Sequence, residues 1–263
     1  MLKTHAATGR VTQNHLSNDK FKNGFTLAEV LVTLTILGVV SAMTIPTLIR
    51  KQSQKINTTK FKKSISVINQ ALKMNYAING FDLSTVQSNC KDKKNDDASV
   101  MSVCSIFNET MLLSVKEDYT TYKNSDGNLY YLDLYQKGVT SDSKIKDQGI
   151  QLYYYGTNDG SMFIFHSPHI GDNHTPICTL AERTLEATAK DSEFIKYCLA
   201  WVDVNGGQKP NKEVRCKDKK AYYGKFTQPC KIDETVDYDV FPVFIYDSTI
   251  VPASNAANKI LQK

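Results

Sequence analysis

Charge is almost absent from one stretch of this 263-residue sequence: from Phe25 to Ile49 the only ionisable side chain is Glu29. Cysteine is absent before Cys90. Histidine is scarce, with His5 and His15 near the start and His166, His169 and His174 close together. No H-E-x-x-H, G-x-S-x-G or glycine-rich phosphate loop occurs, so the common hydrolase, zinc-protease and nucleotide-binding signatures are excluded. No C-x-x-C pair is present to suggest structural zinc. These absences leave an enzyme reading without support. Excess charge is also small. The formal total is +5, and residues 1–24 carry Lys3, Arg10, Lys20 and Lys22 against Asp19, leaving +2 for the rest. That is not a nucleic-acid footprint.

The uncharged run is long. As a helix its 25 residues would extend roughly 37 Å at ~1.5 Å per residue. A bilayer core of ~30 Å needs about 20. Lipid offers no partner to backbone polar groups, so a spanning segment of this kind is a helix. Gly38 and Ala42 form a small-xxx-small pair that allows close helix packing. Glu29 is the exception in the run, and an acid at membrane depth is by default a functional residue. Pro46 removes a helix hydrogen bond, so it kinks the helix or ends the spanning segment.

Gly24-Phe25-Thr26-Leu27-Ala28-Glu29, preceded by a basic leader and opening an apolar helix, resembles the processing site of type IV pilins and type II secretion pseudopilins. The resemblance implies cleavage by prepilin peptidase after Gly24 and N-methylation of Phe25. It also implies assembly through the helix, with Glu29 meeting the terminal amine of a neighbouring subunit, and a proline at the place of Pro46. The implied partners are the peptidase, other pilin or pseudopilin subunits, an inner-membrane assembly platform and the lipid bilayer. The implied location is the cytoplasmic (inner) membrane, single-pass with the head outside, then an extracytoplasmic filament. The competing pattern is an ordinary signal peptide, with Val30–Val40 as its apolar core and Val40-Ser41-Ala42 as its cleavage site. It would give a secreted or tethered binding domain starting at Met43. Basic residues do not decide orientation. Four precede the run, and Arg50, Lys51, Lys55, Lys60, Lys62 and Lys63 follow it. The processing site and the cysteines place the C-terminal part outside.

The expected organisation is a leader (1–24), a membrane and filament-core helix (25–49), an amphipathic continuation (50–80) and a globular head (81–263). Phe61, Ile65, Ile68, Leu72 and Tyr76 recur at helical spacing and define one apolar stripe. Asn79-Gly80 stops the helix. Lys91–Asp97 reads as an exposed loop, and 102–113 as a short helix. Strands are expected over 128–135, 150–155, 162–165, 197–204 and 240–245. A turn falls at Gly156–Gly160 and a helix over 179–196. Pro242 suggests an edge strand or a bulge. The fold class is α+β, a long helix on a mostly antiparallel sheet, as in pilins.

Cys90, Cys104, Cys178, Cys198, Cys216 and Cys230 form an even set suited to disulfides in an exported domain. Short loops favour the sequential pairing Cys90–Cys104, Cys178–Cys198 and Cys216–Cys230. His166, His169, Asp172, His174 and Cys178 share a loop that reads as surface rather than metal site. Asp203-Val204-Asn205-Gly206 is a partial calcium-loop pattern, with Asp237 or Asp239 as further candidates. It makes calcium the one candidate cofactor.

Overall fold

A computed structural model describes residues 24–86, 101–111, 113–118, 152–166, 176–206, 208, 210–218 and 222–262. The leader before Gly24, Cys90, the Lys91–Asp97 stretch, the strand expected over 128–135, and His169, Asp172 and His174 lie outside them. The chain divides into two compact units, residues 1–47 and 48–263.

Helix α1 runs over Leu27–Asn79 and includes Pro46. The helix thus continues through the proline into residues 50–79, as expected. In the first unit its apolar side chains are exposed, as Leu37 at 61% and Met43 at 74% illustrate. Thr33, Thr35 and Thr44 donate their hydroxyl protons to Val30 O, Leu31 O and Val40 O at 2.8–2.9 Å. These hydroxyls are thus satisfied without water.

The second unit is built on a sheet. Strands β1 (Leu113–Asp118), β2 (Leu152–Thr157), β3 (Met162–His166), β4 (Leu199–Asp203), β5 (Val240–Tyr246) and β6 (Thr249–Pro252) lie in sequence order, and every neighbouring pair is antiparallel. Cross-strand partners share a face. Phe163 pairs Val202 and Val202 pairs Phe241, giving one apolar row. Phe61 of α1 stacks on Phe241 with ring centroids 4.4 Å apart. Phe107 of α2 (Val103–Thr110) meets Tyr155, Phe163 and Phe165 at 5.3–5.6 Å on this same face. The opposite face holds Phe244, against Phe194 at 5.3 Å. With both faces covered, β5 is apolar along its length rather than alternating.

The buried stripe of α1 differs from the expected one. It consists of Phe61, Ser64, Ile68, Ala71, Leu72 and Asn75, while Tyr76 is 55% exposed. The cause is a polar contact. Asn75 Nδ2 donates to Phe81 O at 2.6 Å, so an amide takes the core-facing place at the point where the chain turns back. Gly80, with φ +73°, makes that turn.

The helix expected over 179–196 is two short ones, α3 (Leu185–Thr188) and α4 (Ser192–Cys198). Thr184 and Asp191 cap them through Ala187 N and Glu193 N, and such caps start new helices rather than continue old ones. Pro242 sits on an interior strand, which overturns the edge or bulge expectation. Its carbonyl accepts from Ala253 N at 2.9 Å, so its missing N–H also points toward β6, where that ladder ends. Helix α5 (Asn255–Gln262) closes the unit with Ala256, Ala257 and Ile260 buried.

Cys178–Cys198 and Cys216–Cys230 are bridged. Cys104 is disulfide-bonded as well, with a partner outside the described residues. Since Cys178 is bridged, it is not available to a metal on the His166 loop.

Candidate functional site: the N-terminal segment

Gly24, Phe25 and Thr26 precede α1 in non-helical conformation. Among the described residues, nothing lies within 4 Å of a Cβ built on Gly24. Phe25 is 88% exposed.

Thr26 and Glu29 form a reciprocal cap. Glu29 N donates to Thr26 Oγ1 at 3.2 Å, and Thr26 N and Oγ1 donate to Glu29 Oε2 at 2.8 and 2.7 Å. This is a capping box, in which N-cap and third-residue side chains satisfy each other's orphan backbone donors. Its T-x-x-E signature was present in the sequence and gives Glu29 a local role that charge alone does not reveal. Oε2 takes both Thr26 bonds, which leaves Oε1 for another donor. Pro46 lies one residue before the boundary between the two units.

The calcium candidates do come together, but as a clasp of turns. Asp203 Oδ1 accepts from Asn205 N and Gly206 N at 3.0 and 3.1 Å. Asn205 Nδ2 donates to Asp239 Oδ2 at 2.7 Å, and Asp239 also accepts from Asn211 N and Lys212 N. Burial pushes the Asp239 carboxyl up to about 6, against the pull of these donors. Asp237 is occupied elsewhere, accepting from Ser53 Oγ at 2.5 Å. N–H groups aimed at a carboxylate stand where a cation would have to sit, so the donor set does not fit calcium. Among the described residues no group of three His, Cys, Asp or Glu is placed to hold a metal.

One buried polar cluster had no clear sequence signal. Tyr223 donates to Glu213, which also pairs with Arg215 Nη2 at 3.2 Å. Burial raises the Glu213 carboxyl despite Arg215 and Tyr223, and raises Tyr223 further. The cluster joins Glu213 to Tyr223 and to Arg215, the residue before Cys216 of the Cys216–Cys230 bridge.

Residues 19–45 match the family model of the prokaryotic N-terminal methylation motif. The chain thus carries the prepilin-type signal of type IV pilins and pseudopilins. No curated protein and no solved structure matches it. Together with a helix long and apolar enough to cross a membrane and two described cystines, the organisation is α+β and pilin-like.

Proposed function

We propose that the chain is a structural subunit of a type IV pilus or type II secretion pseudopilus, with no catalytic role. Prepilin peptidase cuts it after Gly24, Phe25 is methylated, and the subunit enters a filament through α1. Before assembly α1 holds it in the inner membrane with the head outside. The observation that carries this reading is the methylation-motif match over residues 19–45. Glycine at position 24 suits this reading, because a protease must reach the backbone at the cut. Glu29, with Oε1 uncommitted, would neutralise the terminal amine of a neighbouring subunit. Pro46 would loosen α1 where the two units divide. The size of the head and its cystines favour a minor or tip subunit over a bulk one. Calcium has no part in this reading, for the reason given by the Asp203–Asp239 clasp.

Mass spectrometry of the mature N-terminus tests the proposal. Methyl-Phe25 is the expected first residue. A chain starting at Met43 would instead establish an ordinary signal peptide and a released binding domain.

A further inference from the structure

A groove of about 340 Å³ separates α1 from the segment that carries Ile232 and Tyr238. Lys51, Lys55 and Lys62 line its helical wall. Their spacing of four and then seven residues puts them on one face of the helix. Among the described residues none of the three ammonium groups has a hydrogen-bond or ion-pair partner. The lysines beside them differ, for Lys60 donates to Val204 O at 3.0 Å and Lys63 pairs with Asp159 at 2.8 Å. Two acids stand on the facing wall, Asp233 and Glu234. Asp233 accepts from Thr235 N and Oγ1 at 2.9 and 2.7 Å and lies in the field of Lys217 and Arg50. Three lysines therefore face two carboxylates, one of them already engaged by Thr235, and the groove has a small excess of positive charge. Ile232 and Phe241 give it an apolar back.

Its position along the chain indicates what would fill it. The apolar run ends at Ile49. At ~1.5 Å per residue Lys51 stands about 3 Å beyond that end and Lys55 about 9 Å. The headgroup layer is roughly 5–8 Å thick on each side of the hydrocarbon core, and lysine stems bend to keep their ammonium groups at that level. Lys62, about 20 Å on, stands above it.

We propose that this groove holds the headgroup of an anionic phospholipid, with Lys51 and Lys55 on the phosphodiester and the apolar back against its glycerol. The bound lipid ties the head to the bilayer surface and must be released when the subunit leaves the membrane. The inference rests on the reading of Phe25–Ile49 as membrane-spanning.

The test uses the full chain in nanodiscs of phosphatidylcholine, with and without phosphatidylglycerol, and reads lysine acetylation by mass spectrometry. Lys51 and Lys55 should label about fivefold more slowly in the anionic discs. Lys73, exposed further along α1, should not change. Inorganic phosphate added to the neutral discs should give no protection. Native mass spectrometry should show phosphatidylglycerol retained by the wild-type chain and lost from Lys51→Gln/Lys55→Gln. Equal labelling in both discs, protection by phosphate alone, or unchanged retention in the double variant would each overturn the site. A chain that enters neither disc overturns the membrane reading itself.

Discussion

Before Ile49 the side chains of α1 look outward: Leu31, Leu34 and Leu48 are 57–69% exposed, and the hydroxyls bond only to their own helix. After it, Phe61 and Leu72 are 0 and 1% exposed, and polar groups reach across to the head. Gln54 Nε2 donates to Glu234 O and Val236 O, Asn57 Nδ2 to Tyr238 O, and Asn69 bonds both ways with Ile250. One helix thus carries two kinds of surface. The first keeps its polar groups to itself and leaves its apolar area exposed among the described residues, free for the lipid or subunits of the proposed function. The second has found its partner within the chain. A change in the first half should therefore be felt in processing and assembly, and a change in the second in stability of the head.

The largest expected effect belongs to the first region. Gly24→Val should abolish processing, leaving precursor in the membrane with Cys178–Cys198 and Cys216–Cys230 intact, read as intact mass under non-reducing conditions. Normal maturation of this variant would remove the basis for the proposed function.

On the proposed pairing, Glu29→Ala should lower filament yield by an order of magnitude or more, because it would leave a neighbour's buried terminal amine unpaired at a cost of several kcal/mol. Thr26→Ala separates the two roles of Glu29. It breaks the capping box, at about 1 kcal/mol, but keeps the carboxylate. Sheared-filament yield against total membrane protein should therefore stay near wild type. If Thr26→Ala fails as badly as Glu29→Ala, capping alone explains the residue.

In the second region, Phe61→Ala should cost about 3–5 kcal/mol by emptying the place beneath Phe241. Leu37→Ala should leave head unfolding unchanged. Denaturation of the detergent-held chain, followed by Trp201 fluorescence, compares the two. Equal losses would break the contrast drawn here.

Two carboxylates sharpen the picture within the head by titrating in opposite senses. Asp239 rises from 3.8 to about 6 on folding. Between those values the folded state binds more protons, so its contribution falls as pH rises through that window, by up to about 3 kcal/mol. Asp159 is lowered: burial acts against it, but Lys63, Thr157 and Ser161 more than compensate. Its contribution is present above 3.8 and is lost as pH falls below that value, and for a partly exposed pair it amounts to roughly 0.5–1 kcal/mol. Unfolding midpoints against pH for wild type, Asp239→Asn and Asp159→Asn should show these two slopes removed separately. An unchanged slope between pH 4 and 6 in Asp239→Asn would contradict the burial argument.

Much of the second region was legible only in part. The start of α2 at Ser102, the hairpin turn near Gly160 and strands β4 and β5 follow from caps, turn residues and β-branched or aromatic runs, all local signals. Asn75 in the core, the division of α3 from α4, and Pro242 within the sheet were not legible in that way. Each depends on a particular contact rather than on a composition pattern. Asn75 is retained by Phe81 O, α3 and α4 are separated by the caps at Thr184 and Asp191, and Pro242 is tolerated because the β6 ladder ends beside it.

The sequence by itself determined the N-terminal helix and its processing signal. Gly24, Phe25, the T-x-x-E cap and a run without charge act through nearest neighbours and the solvent they prefer, and neither needs a tertiary partner. The tertiary structure decided which polar groups the head buries. Burial of Asp239 depends on donors brought from Asn205, Asn211 and Lys212, and burial of Glu213 on Tyr223 and Arg215. Desolvation is repaid only when those donors arrive. The same folding left the ammonium groups of Lys51, Lys55 and Lys62 together without partners among the described residues, which no spacing in the sequence distinguishes from the paired Lys60 and Lys63.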